Sequence, residues 1–316
     1  MTGLLEVQNL SVSFNGKFAV NDVSFYLNSN EIVGLVGESG CGKSLSAFSI
    51  LGISPPNSKL SGKVIYLGVD LLSLDDESKR KIRGNKISLI PQDPLSSLNP
   101  VFTIGDQISE VIEVHKNINH GEALSLSQKA LTSVNIPSPS ERINYYPHQF
   151  SGGMRQRALI AMALVSEPDI LIADEPTTAL DATIQLQILE IMKDLRSKGK
   201  AILLITHDLA QVADVCDRVY VMYLGKIVEA GETKEIFANP KHPYTIGLLN
   251  SLPDENKKTL NPIYGQPPTI DSIPSGCAFH TRCPFVFDRC KKEVPELYDV
   301  KGSSGHKSRC FLEIEN

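Results

Sequence analysis

The hydrophobic positions of the chain fall into short runs that alternate with longer amphipathic segments. EIVGLVG at 31–37, ILIAD at 170–174 and AILLIT at 201–206 are apolar runs bounded by turn-forming or polar residues. This pattern is typical of fully buried strands. Segments with helical spacing follow such runs, as at 182–197. Strands that alternate with helices predict a largely parallel sheet with crossover helices, and therefore an α/β fold.

Two regions depart from this alternation. Residues 7–14 and 20–27 flank an Asn15-Gly16 pair, which predicts an antiparallel hairpin near the start of the chain. Residues 95–165 have helical spacing and predict a helical subdomain inserted into the α/β domain.

The last part of the chain has a different composition. Nine of the 19 prolines follow residue 235, and four of the six cysteines crowd the end of the chain. These four are Cys277, Cys283, Cys290 and Cys310. We therefore predict a regular domain at 1–237 and a loop-rich extension at 238–316 that needs an additional stabilising link.

Composition and charge exclude several classes of protein. The 316 residues carry 36 acidic and 31 basic side chains, a net charge of −5, which disfavours a sequence-independent nucleic-acid binder. No apolar run approaches the length of a membrane span, and the first residues, MTGLLEVQNL, do not read as a secretory signal. We expect a cytosolic protein that meets membranes only through partners, and whose cysteines serve metal binding or reactivity.

A phosphate-binding motif follows the first buried run. The pattern G-x-x-x-x-G-K-[ST] is met by Gly37, Glu38, Ser39, Gly40, Cys41, Gly42, Lys43 and Ser44, and we count the next residue, Leu45, with the nucleotide-binding positions. Backbone N–H groups of such a loop surround phosphates, and the following helix adds its dipole. Lys43 would reach the β- and γ-phosphates, and the Ser44 hydroxyl would ligate Mg²⁺. The motif predicts a MgATP site.

One member of this loop suggests additional reactivity. Lys43 and the helix dipole could activate the thiol of Cys41, which would make nucleotide binding sensitive to alkylation. The side chain is expected to be incidental to catalysis, since the loop works through its backbone.

Two carboxylates follow the apolar run at 170–174. In a parallel sheet this position is the carboxyl edge, where α/β proteins bind ligands. Asp174 would bind Mg²⁺ directly or through water, and Glu175 would act as the general base for an attacking water. The alternative is a pair of solvated acids before a turn at Pro176.

The segment FSGGMRQR at 150–157 resembles the signature motif of ATP-binding-cassette (ABC) ATPases. Gln92 resembles the Q-loop glutamine, Ala179-Leu180-Asp181 the D-loop, whose Asp181 then belongs to the nucleotide site, and His207 the switch histidine. Met154 departs from the commonest signature, which has Gln. The resemblance implies a P-loop ATPase domain with an antiparallel β subdomain and an inserted helical subdomain.

The same resemblance implies a paired site. Ser151, Gly152 and Gly153 would contact the γ-phosphate bound to the opposite subunit, so one cassette must pair with an identical or related cassette. Gln92 would contribute to the Mg²⁺ site and to catalysis, and His207 would hydrogen-bond the γ-phosphate.

An aromatic ring is expected to stack on the adenine. Phe14, 23 residues before Gly37, is the first choice and Phe18 the alternative, whereas core packing is the competing role for either ring.

Three peripheral segments, at 92–100, 242–253 and 276–284, resemble the ATP-binding subunits of oligopeptide and dipeptide importers. By that resemblance the protein powers peptide uptake through two membrane subunits and an external binding protein, as a peripheral subunit on the cytoplasmic face of the membrane. The coupling surface would lie near 92–100. Nickel importers of the same clan are one alternative, and soluble ABC ATPases of DNA repair or translation are another.

The four late cysteines run C-x5-C-x6-C-x19-C. Four thiolates suit zinc or an iron–sulfur cluster, and zinc more often uses tight C-x2-4-C pairs. The resemblance to peptide-importer ATPases points to a structural [4Fe–4S] cluster, with zinc or no metal as alternatives. His280 and His306 could replace a thiolate, but the four cysteines suffice without them, so both histidines are expected to be exposed loop residues.

Overall fold

The computed structural model describes residues 3–178, 180–252 and 263–312, and these form two compact units. The first unit comprises 1–27, 32–72 and 205–316, and the second comprises 28–31 and 73–204. Ala179 of the predicted D-loop and Pro253, the last residue of the peripheral segment at 242–253, lie outside the described residues. Among the described helices none is long and apolar enough to cross a bilayer.

The described strands are named in chain order. They are β1 (Leu5–Phe14), β2 (Lys17–Leu27), β3 (Ile32–Val36), β4 (Ser58–Tyr66), β5 (Val69–Asp70), β6 (Ile87–Ile90), β7 (Ile170–Asp174), β8 (Ala201–Thr206), β9 (Arg218–Tyr223), β10 (Lys226–Glu232), β11 (Tyr298–Asp299) and β12 (Lys307–Ser308). The buried runs of the sequence therefore form β3, β7 and β8, as predicted.

The helices are named in the same way. They are α1 (Lys43–Ile50), α2 (Asp76–Ile82), α3 (Pro94–Ser97), α4 (Ile104–Lys116), α5 (His120–Ser133), α6 (Pro139–Arg142), α7 (Gly152–Leu164), α8 (Ala182–Ser197), α9 (Leu209–Val215), α10 (Thr233–Ala238), α11 (Pro243–Asn250) and α12 (Asp288–Lys292). Short 3-10 turns lie at Leu71–Ser73 and Pro147–Gln149.

In the first unit, β1 and β2 form the predicted antiparallel hairpin. Asn15 and Gly16 both have positive φ, 49° and 81°, as a two-residue hairpin turn requires. The hairpin continues into a four-stranded sheet in the order β2-β1-β4-β5. The antiparallel β subdomain expected from the family resemblance is therefore present.

A second run of strands in the first unit joins the C-terminal extension to the phosphate-loop strand. Its order is β11-β12-β10-β9-β3, with β3 parallel to β9 and β12 antiparallel to β10. Because β12 pairs with β10, the extension is part of the same compact unit as the loop after β3.

The second unit contains the strand order β8-β7-β6, with β6 and β7 parallel. The segment at 95–165 is helical, as predicted, and α4, α5 and α7 pack against one another. Thr103 caps α4 by accepting a hydrogen bond from the N–H of Asp106 at 3.1 Å. Ile104, Ile108 and Ile112 recur on one face of α4 and are fully buried. Each contributes about 1.5–3 kcal/mol through burial, which holds the helical subdomain together.

Candidate functional site

The segment between β3 and α1 folds as a phosphate-binding loop. Gly37 has φ = 153°, and a Cβ at this position would lie 2.2 Å from the carbonyl oxygen of Met222. This close approach requires glycine. α1 begins at Lys43, and its N-cap Gly42 supplies no side-chain hydrogen bond to the first turn. The N-terminus of α1 therefore offers backbone donors and the positive end of a dipole to an anion.

The ammonium group of Lys43 is buried in this loop. Its Nζ donates hydrogen bonds to the carbonyl oxygens of Gly37 at 2.8 Å and Glu38 at 3.0 Å. The residue is only 5% exposed. A cation held over the loop in this way is placed to neutralise phosphate charge. Ser44 and Leu45 follow in the first turn of α1, and their assigned roles stay predictions.

The thiol of Cys41 is buried and is not activated as expected. Cys41 is 4% exposed, and burial raises the pKa of its thiol, although Lys43 acts to lower that pKa from 3.8 Å away. The expected activation is therefore wrong, because desolvation of the thiolate outweighs the nearby cation.

The two candidate rings for adenine lie at either side of the hairpin turn. Phe14 ends β1 and is half-buried, whereas Phe18 is 44% exposed. Phe18 lines a cavity of about 280 Å³ together with phosphate-loop residues 38–41 and extension residues 267–270. Of these two described rings, only Phe18 lines the cavity. The assignment of base stacking to Phe14 stays a prediction.

In the second unit, the two carboxylates at the end of β7 are buried. Asp174 is 1% exposed and Glu175 is 9% exposed, so the alternative of two solvated acids is wrong. Oε2 of Glu175 accepts hydrogen bonds from Nε2 of Gln92 and Oγ1 of Thr178, each at 3.0 Å. Glu175 has φ = 46°, an uncommon and strained value for a residue with a side chain. A carboxylate oriented by two donors is suited to accept a proton from water.

The signature segment begins α7 on an exposed surface. Ser151 is the N-cap, and its Oγ accepts a hydrogen bond from the N–H of Met154 at 3.3 Å. Ser151 and Gly152 are exposed, and the space beside the α-carbon of Gly152 is open within 4 Å. Gly153 lies closer to a neighbour, since a Cβ there would be 3.2 Å from Ile184. This helix start is therefore accessible to an anion presented from outside the chain.

The remaining predicted nucleotide contacts sit at helix and strand ends. Asp181 caps α8, with Oδ1 accepting from the N–H of Ile184 at 3.0 Å. His207 follows the last residue of β8 and is exposed. Lys43 and His207 belong to the first unit, and the signature segment and Asp181 to the second.

The four late cysteines line one small cavity of the first unit. His280 and three phenylalanines line it with them. All six cysteines of the chain are described, and all carry free thiols. Burial raises the pKa of Cys277 to about 11 and of Cys310 to about 12. Among the described residues, no three His, Cys, Asp or Glu side chains are grouped closely enough to hold a metal ion.

The two histidines expected to be exposed loop residues are not exposed, and His280 is half-buried. His306 is not an exposed loop residue, because it is fully buried with Nε2 2.8 Å from Oε1 of Glu229. The same Glu229 accepts hydrogen bonds from the backbone N–H groups of Lys241 and His242. His306 therefore docks the extension onto β10 through a buried, hydrogen-bonded pair with Glu229.

Sequence reasoning assigned no role to two residues that contact the phosphate loop. Arg282 donates hydrogen bonds to the carboxylate of Glu38, and the hydroxyl of Tyr244 accepts one from the N–H of Glu38. The contact pairs are separated by more than 200 positions along the chain, so no local pattern relates them.

Two family models match the chain. The model described as ABC transporter matches residues 20–178. The model described as oligopeptide/dipeptide transporter, C-terminal region, matches residues 228–290. Together the matches include the phosphate loop, the signature segment and three of the four late cysteines.

Curated relatives match over nearly the full chain. The dipeptide transport ATP-binding protein DppD of Bacillus subtilis is 50% identical, with 99% of this chain and 96% of the relative covered. The oligopeptide transport ATP-binding protein OppD of Escherichia coli is 43% identical, with 99% and 94% covered. A solved ATP-binding cassette, dimeric and bound to ADP and Pi after hydrolysis, is 26% identical with a TM-score of 0.65. That alignment covers 72% of this chain and 98% of the cassette.

Proposed function

The chain belongs to the ATP-binding subunits of ABC transporters, and from this membership we propose that it hydrolyses ATP to drive import of dipeptides or oligopeptides. The observation that carries the proposal is the similarity to DppD and OppD over both the cassette and the C-terminal region. A cassette alone would leave the cargo open, because the same fold serves many transporters.

The nucleotide chemistry follows from the residues around the loop and the end of β7. Lys43 and the N-terminal N–H groups of α1 would bind the phosphates, and Ser44, Gln92 and Asp174 would hold Mg²⁺. The metal would neutralise charge on the phosphates. Glu175 would accept the proton of the attacking water, with its orientation set by Gln92 and Thr178.

A second cassette completes the site in this proposal. The exposed start of α7 supplies Ser151, Gly152 and Gly153 to the γ-phosphate bound by the partner. Asp181 and His207 would act at the same interface. The dimeric cassette among the similar solved structures supports this pairing, whether the partner is identical or a related subunit.

The other partners follow from the importer class. Two transmembrane subunits would receive the motion of the cassettes near residues 92–100, and an external binding protein would deliver peptide. The subunit would then act at the cytoplasmic face of the membrane as a peripheral protein, with no nucleic acid as partner.

The cargo is tested by measuring peptide uptake in cells from which the gene for this chain has been deleted. Expression of the chain should restore uptake of a labelled dipeptide or oligopeptide, whereas Glu175→Gln expressed to the same level should not. If expression of the chain restored nickel uptake but not peptide uptake, the cargo would be nickel and the peptide assignment would be wrong. Hydrolysis stimulated by DNA or ribosomes, with no uptake defect, would contradict the transporter assignment.

We further propose that the four late cysteines bind a structural [4Fe–4S] cluster. Support comes from the donor chemistry, four thiols without carboxylates around one cavity. Their present positions do not form a closed ligand set, so no catalytic step is assigned to this centre. Iron, zinc and sulfide analysis after anaerobic purification tests it. About four irons with matching sulfide per chain support the cluster, whereas one zinc or four metal-free thiols reject it.

A further inference from the structure

Two residues of the C-terminal region converge on Glu38, the second residue of the phosphate loop. We propose that Arg282 is a positioning residue for ATP binding, which neutralises and orients Glu38 and thereby makes nucleotide affinity depend on the docked extension. The proposal rests on the proposed ATPase function and adds a role for the extension within it. We call Arg282, Tyr244 and Glu38 the Glu38 clamp.

The ion pair of the clamp is bidentate. Nη1 of Arg282 donates to Oε2 of Glu38 at 2.7 Å, and Nη2 donates to Oε1 at 2.9 Å. The Arg282 side chain is 4% exposed and the Glu38 side chain 26% exposed. A planar guanidinium that meets a carboxylate with two parallel hydrogen bonds is among the strongest ion pairs in proteins, particularly when water is largely excluded.

The extension itself holds Arg282 in place. Nε donates to the carbonyl oxygen of Tyr264 at 3.1 Å, and Nη2 also donates to the carbonyl oxygen of Gly265 at 3.0 Å. The guanidinium carbon lies 5.8 Å from the ring centre of Tyr223 and 5.9 Å from that of Phe279. The extension therefore fixes the position of the Arg282 side chain. Through its two hydrogen bonds to Glu38, the guanidinium group makes the position of the phosphate loop depend on that of the extension.

The backbone of Glu38 is held by a second contact. Its N–H donates a 2.8 Å hydrogen bond to the hydroxyl of Tyr244. Tyr244 is fully buried, with ring centres 4.6 Å from Tyr223 and 5.4 Å from Phe279. His242 accepts a hydrogen bond from the N–H of Tyr244 at the start of α11. The peptide of Glu38 is thus anchored to the same aromatic cluster that supports Arg282.

The clamp acts on the residue that binds phosphate. Nζ of Lys43 donates a hydrogen bond to the carbonyl oxygen of Glu38, so the position of that peptide sets the position of the ammonium group. The carboxylate of Glu38 would repel a nucleotide triphosphate if it were unpaired, since like charges at short range oppose binding. Arg282 cancels this charge and turns the carboxylate towards the extension. Loss of Arg282 would leave a half-buried anion inside the phosphate loop.

Nucleotide affinity across a double-mutant cycle tests the proposal. In the full-length protein, Arg282→Met should weaken binding of a fluorescent ATP analogue about tenfold. Arg282→Lys keeps the positive charge but cannot form the two parallel hydrogen bonds, and it should weaken binding less. Glu38→Gln removes the anion that Arg282 serves. Adding Arg282→Met to Glu38→Gln should therefore change affinity by no more than about twofold.

A second arginine of the extension provides the matched control. Arg309 donates to the carbonyl oxygens of Ile227 and Pro295 and does not contact Glu38. Arg309→Met should lower the melting temperature while ATP affinity stays within about twofold of wild type. Equal losses of ATP affinity in the Arg282 and Arg309 variants would show that any destabilisation of the extension weakens binding, and would overturn the proposal.

Kinetics separate positioning from folding. Because Arg282 touches neither Glu175 nor its donors, Arg282→Met should raise KM about tenfold and leave kcat within about threefold. Wild-type affinity in a folded Arg282→Met protein would overturn the inference and leave the ATPase function intact. Failure of the wild-type protein to bind ATP would overturn both.

Discussion

The side-chain nitrogen Nε2 of Gln92 lies 3.0 Å from Oε2 of Glu175, so two residues 83 positions apart form one hydrogen-bonded unit at the end of β7. In the proposed mechanism Glu175 accepts a proton from water, and Gln92 fixes which oxygen faces the reaction. In that mechanism the contact would let Gln92 orient Glu175, in addition to the role at Mg²⁺ proposed for Gln92.

This contact predicts the kinetics of Gln92→Ala. The variant should bind ATP with at most about a threefold loss and show a kcat about tenfold lower, because the carboxylate loses an orienting hydrogen-bond donor. Steady-state hydrolysis with the cognate membrane subunits measures both constants. Thr178→Val removes the donor Oγ1 of Thr178 and should also lower kcat. An unchanged kcat in Gln92→Ala would reject the orienting role.

The hairpin aromatic residues predict a difference in base recognition. Phe14→Ala should weaken ATP binding about tenfold, since stacking on a base contributes about 1–3 kcal/mol. Phe18→Ala serves as the comparison variant, and binding of both is measured by calorimetry. If only Phe18→Ala weakens binding, the base instead stacks on the ring that lines the cavity beside the phosphate loop.

The raised pKa of Cys41 predicts resistance to alkylation. Because Cys41 is 4% exposed and burial raises its pKa, N-ethylmaleimide at neutral pH should modify it only after unfolding. Mass spectrometry of native and denatured protein measures the modified fraction. Rapid labelling of Cys41 in the folded protein would contradict the buried position of this thiol.

The buried pair of His306 and Glu229 predicts a pH dependence of stability. Burial lowers the pKa of His306, but the carboxylates of Glu229 and Glu235 raise it by more, so that it lies above its usual value of 6.5. The stabilisation is fully present below pH 6.5 and is lost as pH rises through the raised pKa of the folded state. Burial holds the pKa of neighbouring His242 at about 4, so His242 stays neutral over this range.

Thermal unfolding from about pH 6 to about pH 9 measures this effect. The melting temperature should fall with rising pH in the wild-type protein, and the part of the fall due to His306 should disappear in His306→Gln. A His306→Gln profile as steep as that of the wild type would show that another group causes the dependence.

Local patterns were sufficient for the hairpin and for β3, β7 and β8, whereas β4, β6, β9 and β10 were not predicted. β7 and β8 are apolar runs that end in Asp174 and Thr206, and the Asn15-Gly16 pair defines the hairpin turn. Each of these signals depends on neighbouring residues only. Arg282 and Glu38 are 244 positions apart, and their contact depends on the folded extension. The burial of His306 and Cys41 was likewise missed, since a sequence shows nearby charges but not the desolvation imposed by the rest of the fold.

In the proposed mechanism Glu175 is the base of an ATPase that works as a cassette pair. The most direct test compares wild type and Glu175→Gln for ATP binding, ATP-dependent dimer formation and phosphate release in the same buffer. We expect Glu175→Gln to bind ATP as tightly as wild type, to accumulate as the ATP-bound dimer and to release phosphate at least about a hundredfold more slowly. Phosphate release by Glu175→Gln at the wild-type rate would contradict the account.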